Sequence, residues 1–153
     1  MVFTSEIYAQ YRMRPVILLD RSLGMLRKAK SRLEILNGKL PENITLVQGD
    51  ILALPFKEGM FETVQSFGML HIFNDTQEFT QALLKMRSEN GSLFFNSLVG
   101  NNWLGRNYLK VLIQAGEVGR FYTSVSLKNE LSKTSLNFKE KTIGNMAYFS
   151  CWS

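Results

Sequence analysis

Cysteine and histidine are nearly absent from this chain, with one of each in 153 residues. A lone Cys151 excludes an internal disulfide. Cys151 and His71 together cannot assemble a zinc-type cluster, so no metal site is expected. No apolar run approaches the ~20 residues that span a bilayer. The N-terminal Met-Val-Phe-Thr-Ser-Glu lacks the basic-then-apolar order of a secretory signal. Together these absences predict a cytoplasmic protein with no membrane partner. Glycine is scarce in a more telling way: the first is Gly24. A glycine-rich loop of the kind that brings backbone amides against a nucleotide is therefore missing ahead of that point.

A composition 45% hydrophobic and 20% charged is that of one ordinary globular domain over residues 1–153. The net charge of +5 gathers early, in Arg12, Arg14, Arg21, Arg27, Lys28, Lys30, Arg32 and Lys39. A solvated helix face accounts for this cluster. A surface for nucleic acid or an anionic substrate is the sharper reading. The cluster has no interleaved aromatics, which speaks against a nucleic-acid partner.

Helices and strands alternate along the chain. Phe3, Ile7, Tyr8 and Tyr11 recur at helical spacing and predict a helix over about 4–12. Pro15 to Leu19 is a continuous apolar run, suited to a parallel strand buried on both faces. A helix follows, capped by Ser22, burying Leu26, Ala29, Leu33 and Leu36, and stopped at Gly38. Ile44 to Val47 and Phe61 to Phe67 read as the next strands. Asn74 or Asp75 caps a helix that buries Phe79, Leu83 and Met86. Asn90-Gly91 reads as a turn, and Ser92 to Leu98 as a strand. A helix over Asn101 to Ala115 is expected to place Leu104, Tyr108, Val111, Leu112 and Ala115 on one side. A short helix over Ser126 to Lys133 and an antiparallel hairpin, Asn137 to Thr142 with Met146 to Trp152, close the chain. The expected fold is α/β: a mostly parallel sheet with helices on both faces and a C-terminal antiparallel hairpin.

Two acids carry the chemistry. Asp20 ends the first apolar strand, at the end where open parallel sheets bind ligands. It could accept two hydrogen bonds from a ribose diol, or it could cap the following helix. Asp50 ends the next strand after Gly49. It could accept from an adenine amino group, or hold its own loop amides. Acids at the ends of successive strands, one helix apart, form a stronger signal than either alone.

The stretch Leu18-Leu-Asp20-Arg-Ser-Leu-Gly-Met-Leu26-Arg-Lys-Ala29 resembles the second-strand motif of class I S-adenosylmethionine-dependent methyltransferases. Val47-Gln-Gly-Asp50-Ile-Leu-Ala-Leu-Pro-Phe56 and Met60-Phe-Glu-Thr-Val64 resemble their adenine-side motif and fourth strand. Ser88-Glu-Asn-Gly91-Ser-Leu-Phe-Phe95 is similar to their turn into the fifth strand. The nearest flavour is the broad branch with quinone-biosynthesis and other small-molecule methyltransferases. The resemblance implies S-adenosylmethionine as cofactor, with Asp20 on the ribose hydroxyls and the adjacent Arg21 in the same site. It also implies Asp50 on the adenine amino group, Ile51 against the ring and Phe67 near the methionine arm. Glu62 stands where the family has an aspartate.

The resemblance also implies a first strand and glycine-rich loop just before Phe3, in the middle of the family's sheet. Either the native protein is longer, or the sheet closes over the gap, or another chain, such as a second copy, fills it. His71, after Gly68-Met-Leu70, is a substrate-side candidate that could act as a base. A loop histidine satisfied by backbone groups is its plainer reading. Trp103 and Tyr108 are expected in the core of their helix, with a substrate lid as the alternative. Cys151 is expected as a buried small hydrophobe. The expected function is methyl transfer to a small molecule, with no catalytic side chain assigned. The alternative is an inactive remnant serving as a binding or structural partner.

Overall fold

The structure is a computed structural model that describes residues 14–53, 56–134 and 137–152. The helix expected over 4–12 lies outside the described residues. Two compact units make up the chain, Met1–Leu54 and Pro55–Ser153.

The first unit is a β-α-β element. Strand β1 (Val16–Asp20) pairs in parallel with β2 (Ile44–Gln48), from Val16 opposite Ile44 to Asp20 opposite Gln48. Helix α1 (Leu23–Asn37) connects them. Its start is fixed by Ser22, whose hydroxyl accepts the backbone N–H of Met25 at 3.2 Å. Its end is fixed by Gly38, whose φ of +76° suits a residue without Cβ. Leu26, Ala29 and Leu33 are buried as expected, but Leu36 is 44% exposed. Leu36 falls in the last turn, at the edge of the apolar stripe rather than its centre.

The second unit carries a four-stranded sheet whose order is Phe61–Ser66 (β3), Arg87–Leu98 (β4), Met146–Trp152 (β6) and Lys139–Ile143 (β5). Strand β3 (Phe61–Ser66) runs parallel to β4 (Arg87–Leu98), joined through a short 3₁₀ turn at Leu70–Ile72 and helix α2 (Thr76–Met86). Helices α3 (Trp103–Gln114) and α4 (Ser124–Leu131) lead to the hairpin of β5 (Lys139–Ile143) and β6 (Met146–Trp152). The hairpin turns through two residues, Gly144-Asn145, with Gly144 at φ +58°. Positive φ at the first central position only is the pattern of a type II′ turn.

The core lies on one side of this sheet. Leu93 and Phe95 of β4 pair with Cys151 and Phe149 of β6, and all four are buried. The Phe95 and Phe149 rings stack with centroids 5.1 Å apart. Helix α2 packs on β3 and β4 and contacts α4. It supplies Phe79, Leu83 and Met86, as the sequence predicts. Asp75 is its cap, its carboxylate accepting the N–H groups of Gln77 and Glu78 at 2.9 and 3.0 Å.

Parallel pairs, connecting helices and an antiparallel terminal hairpin make this the mixed α/β fold that the sequence predicts. The described strands nevertheless form two sheets rather than one. Among the described residues, β1 bonds only to β2, and β3 only to β4.

Three further expectations fail. Asn90-Gly91 is not a turn ahead of the strand: β4 begins at Arg87, and the pair lies in an irregularity inside it. Phe61 faces Arg87 while Thr63 faces Ser92, so β4 carries three extra residues across that step. Gly91 fits because a Cβ there would sit 2.8 Å from the Glu62 carbonyl oxygen. Trp103 and Tyr108 are not core residues but 73% and 56% exposed, and Leu104 and Val111 lie outside with them. The inward face of α3 is Gly105 and Leu109. Last, the fourth helix starts two residues earlier than expected. Thr123 is its cap and bonds reciprocally with Ser126.

Candidate cofactor site

Asp20, Arg21 and Asp50 come together at the carboxyl ends of β1 and β2. The parallel register brings the strand ends level, and the N–H of Gly49 donates to the Asp20 carbonyl at 3.2 Å. The amide of Gln48 donates to the Arg21 carbonyl at 3.2 Å. Across this junction the Arg21 guanidinium meets the Asp50 carboxylate, Nε to Oδ2, at 3.5 Å. Each acid also serves its own turn. Asp20 Oδ1 accepts the N–H of Ser22 at 2.8 Å, and Asp50 Oδ1 accepts the N–H of Leu52 at 3.0 Å. The turn-forming and ligand-binding readings of these acids are thus compatible, because a carboxylate has about four acceptor positions. Asp20 Oδ2 makes no hydrogen bond among the described residues. Ile51 is half-buried beside Asp50.

Phe67 and His71 belong to the second unit. Phe67 follows β3 and is 45% exposed. Gly68 then turns at φ +70°, and its N–H donates to the Asn96 side-chain oxygen at 2.6 Å. Sequence reasoning missed Asn96. Its signal was a polar residue inside the apolar run Phe94-Phe95-Asn96-Ser97-Leu98.

His71 is buried. Its Nδ1 accepts the backbone N–H of Leu98 at 3.4 Å, and its carbonyl accepts the N–H of Gly119 at 3.1 Å. Burial holds its pKa below the ordinary value. An imidazole that accepts at Nδ1 while neutral carries its proton on Nε2. In this state the ring offers a donor at Nε2, not a free base.

These residues fit an adenosine-bearing ligand by their donor and acceptor character. Two carboxylates stand at neighbouring strand ends, one with an oxygen to spare, and an apolar residue lies beside the other. Residues 2–91 match the family of methyltransferase domains. The chain belongs to that family. No curated protein matches this methyltransferase domain. Among solved structures, it resembles a SAM-dependent methyltransferase of Thermotoga maritima, described as a possible histamine N-methyltransferase. The TM-score is 0.71 at 14% identity, over 98% of this chain and 75% of that one. An O-methyltransferase family protein of Burkholderia thailandensis gives a TM-score of 0.75 at 13% identity, over 97% of this chain and 46% of that one. At such identities the likeness establishes the fold. The methyltransferase domain described here spans about half of several matched structures.

Proposed function

We propose that the chain transfers a methyl group from S-adenosylmethionine to a small-molecule acceptor. The observation that carries this reading is the Asp20–Arg21–Asp50 cluster at the ends of two parallel strands, in a chain of methyltransferase family. Asp20 would take the ribose hydroxyls through its spare oxygen. Asp50 would take the adenine amino group, with Ile51 against the ring and Arg21 steadying the carboxylate. Phe67 would lie along the methionine arm, where an aromatic face attracts a sulfonium. Bound S-adenosylmethionine supplies an electrophilic methyl carbon and a thioether leaving group. The protein's part is then alignment and exclusion of water, with no covalent residue needed. His71 would face the acceptor as a hydrogen-bond donor through Nε2. We place the activity in the cytoplasm. Among the described residues no helix is long and apolar enough to cross a membrane.

Calorimetric titration with S-adenosylhomocysteine tests the reading. The expected result is micromolar binding, weakened at least about tenfold by Asp20→Ala. Absence of binding in the unmodified chain would overturn it and favour a scaffold role instead.

A further inference from the structure

We propose that the hollow between helices α2 and α4 is a ligand site in its own right, and that it takes a small zwitterion, a free α-amino acid with a polar side chain. This goes beyond the methyl-transfer reading and uses neither its cofactor nor its acceptor. The hollow has a volume of about 360 Å³ and is lined by Asn74, Asp75, Thr76, Gln77, Arg120 and Glu130. That is within the range of small-molecule sites, about 300–1,000 Å³. All six residues lie in the second unit, and none lies on a strand. The site is built from the start of α2, the end of α4 and the loop before α4.

Its free groups define the ligand class. The Arg120 guanidinium makes no hydrogen bond among the described residues. It lies over the Tyr122 ring, 5.5 Å from the centre, which leaves its N–H edges open. Those donors suit a carboxylate. Asp75 spends one oxygen, Oδ1, on the N–H groups of Gln77 and Glu78, so Oδ2 is left for a cation. Glu130 is held by Lys133, whose Nζ lies 2.8 Å from Oε2, and by the Gln77 amide, 3.5 Å from Oε1. With Lys133 balancing Glu130, Arg120 and Asp75 remain as one charge of each sign. A simple anion would meet the Asp75 carboxylate at the helix start, and a simple cation would meet Arg120. A molecule with both charges finds a partner for each.

The wall of the hollow also carries a buried group with no partner. Thr76 is 2% exposed, and its Oγ1 makes no hydrogen bond among the described residues. Buried hydroxyls are ordinarily bonded, so this one calls for a partner from outside the chain. Together with the Asn74 and Gln77 amides it favours a ligand with a polar side chain. The frame is preformed. The Gly119 N–H donates to the His71 carbonyl, and a Cβ at Gly119 would stand 2.7 Å from Asn74 Oδ1. The backbone that carries Arg120 is thereby held beside the start of α2.

The test titrates L-glutamine into the isotope-labelled full chain without cofactor, followed by nitrogen–proton correlation spectra. We expect saturable shifts at Asn74 to Gln77, Arg120 and Glu130, with a Kd of about 1 mM or below. Arg120→Gln and Asp75→Asn should each weaken binding at least about tenfold. Asparagine caps a helix as well as aspartate, so the second change removes the charge and keeps the fold. Thr76→Val, which removes the hydroxyl and keeps the shape, should also weaken binding. Lys110→Ala, outside the hollow, should not. Glutaramate, which lacks the ammonium, and γ-aminobutyramide, which lacks the carboxylate, should each bind more weakly than glutamine. Shifts confined elsewhere, no shift up to the solubility limit, or unaltered binding in any of the three hollow variants would overturn the proposal. Glutaramate binding as tightly as glutamine would overturn it too, by showing an anion site only.

Discussion

His71 is the single histidine of the chain, so its titration can be followed alone. Burial lowers its folded pKa from an ordinary value of 6.5. The unfolded chain therefore binds a proton near pH 6.5 that the folded chain resists. Stability is full above that pH and falls as the pH drops from about 6.5 toward the lower folded value. The expected outcome is a urea midpoint lower at pH about 5.5 than at about 7.5, with the difference reduced in His71→Gln. Equal differences in both proteins would show that other groups dominate. The same burial explains why the sequence was ambiguous here. A histidine three residues past Gly68 reads equally as a base or as a loop residue. The Leu98 N–H that fixes its tautomer comes from 27 positions away.

At the scale of elements, local signals were legible and faces were not. Ser22, Gly38 and Asp75 act within three residues of themselves, and each does what its residue type predicts. Asp75→Ala should cost about 1 kcal/mol of stability, read as a shifted denaturation midpoint with an unchanged slope. The inward face of α3 was misread because apolar residues occupy more than half its circumference, so the helical period fits two faces equally well. The choice is made by Gly105, which approaches Asn145 from 40 residues away in sequence. Gly105→Ala should therefore separate α3 from the hairpin turn and lower stability by more than the same change at exposed Gly24. The early start of β4 was likewise invisible, since a register against Phe61 leaves no local trace. At the site, Asp20 and Asp50 could be placed on adjacent strand ends from sequence, but their junction through Arg21 could not.

At the scale of the molecule, the described core divides with the chain. The buried Phe79, Leu83, Leu93, Phe95, Leu127, Leu131 and Phe149 all belong to residues 55–153. A fragment of those residues should retain native-like circular dichroism and dispersed spectra, yet fail to bind S-adenosylhomocysteine because Asp20 and Asp50 are absent. A molten fragment would show that the first unit is needed for packing. The irregular stretch of β4 has a chemical consequence of another kind. Asn90 is exposed, non-helical and followed by glycine, the arrangement most open to succinimide formation. Asn37 also precedes a glycine, but it closes a helix with its amide donated to the Leu33 carbonyl at 2.8 Å. Ageing of stored protein should therefore begin at Asn90. Each deamidation turns an amide into a carboxylate and removes one positive unit from the net charge of +5. A sample kept warm at mildly alkaline pH would record its own history as a second, more acidic band on isoelectric focusing, with the modified peptide mapping to the start of β4.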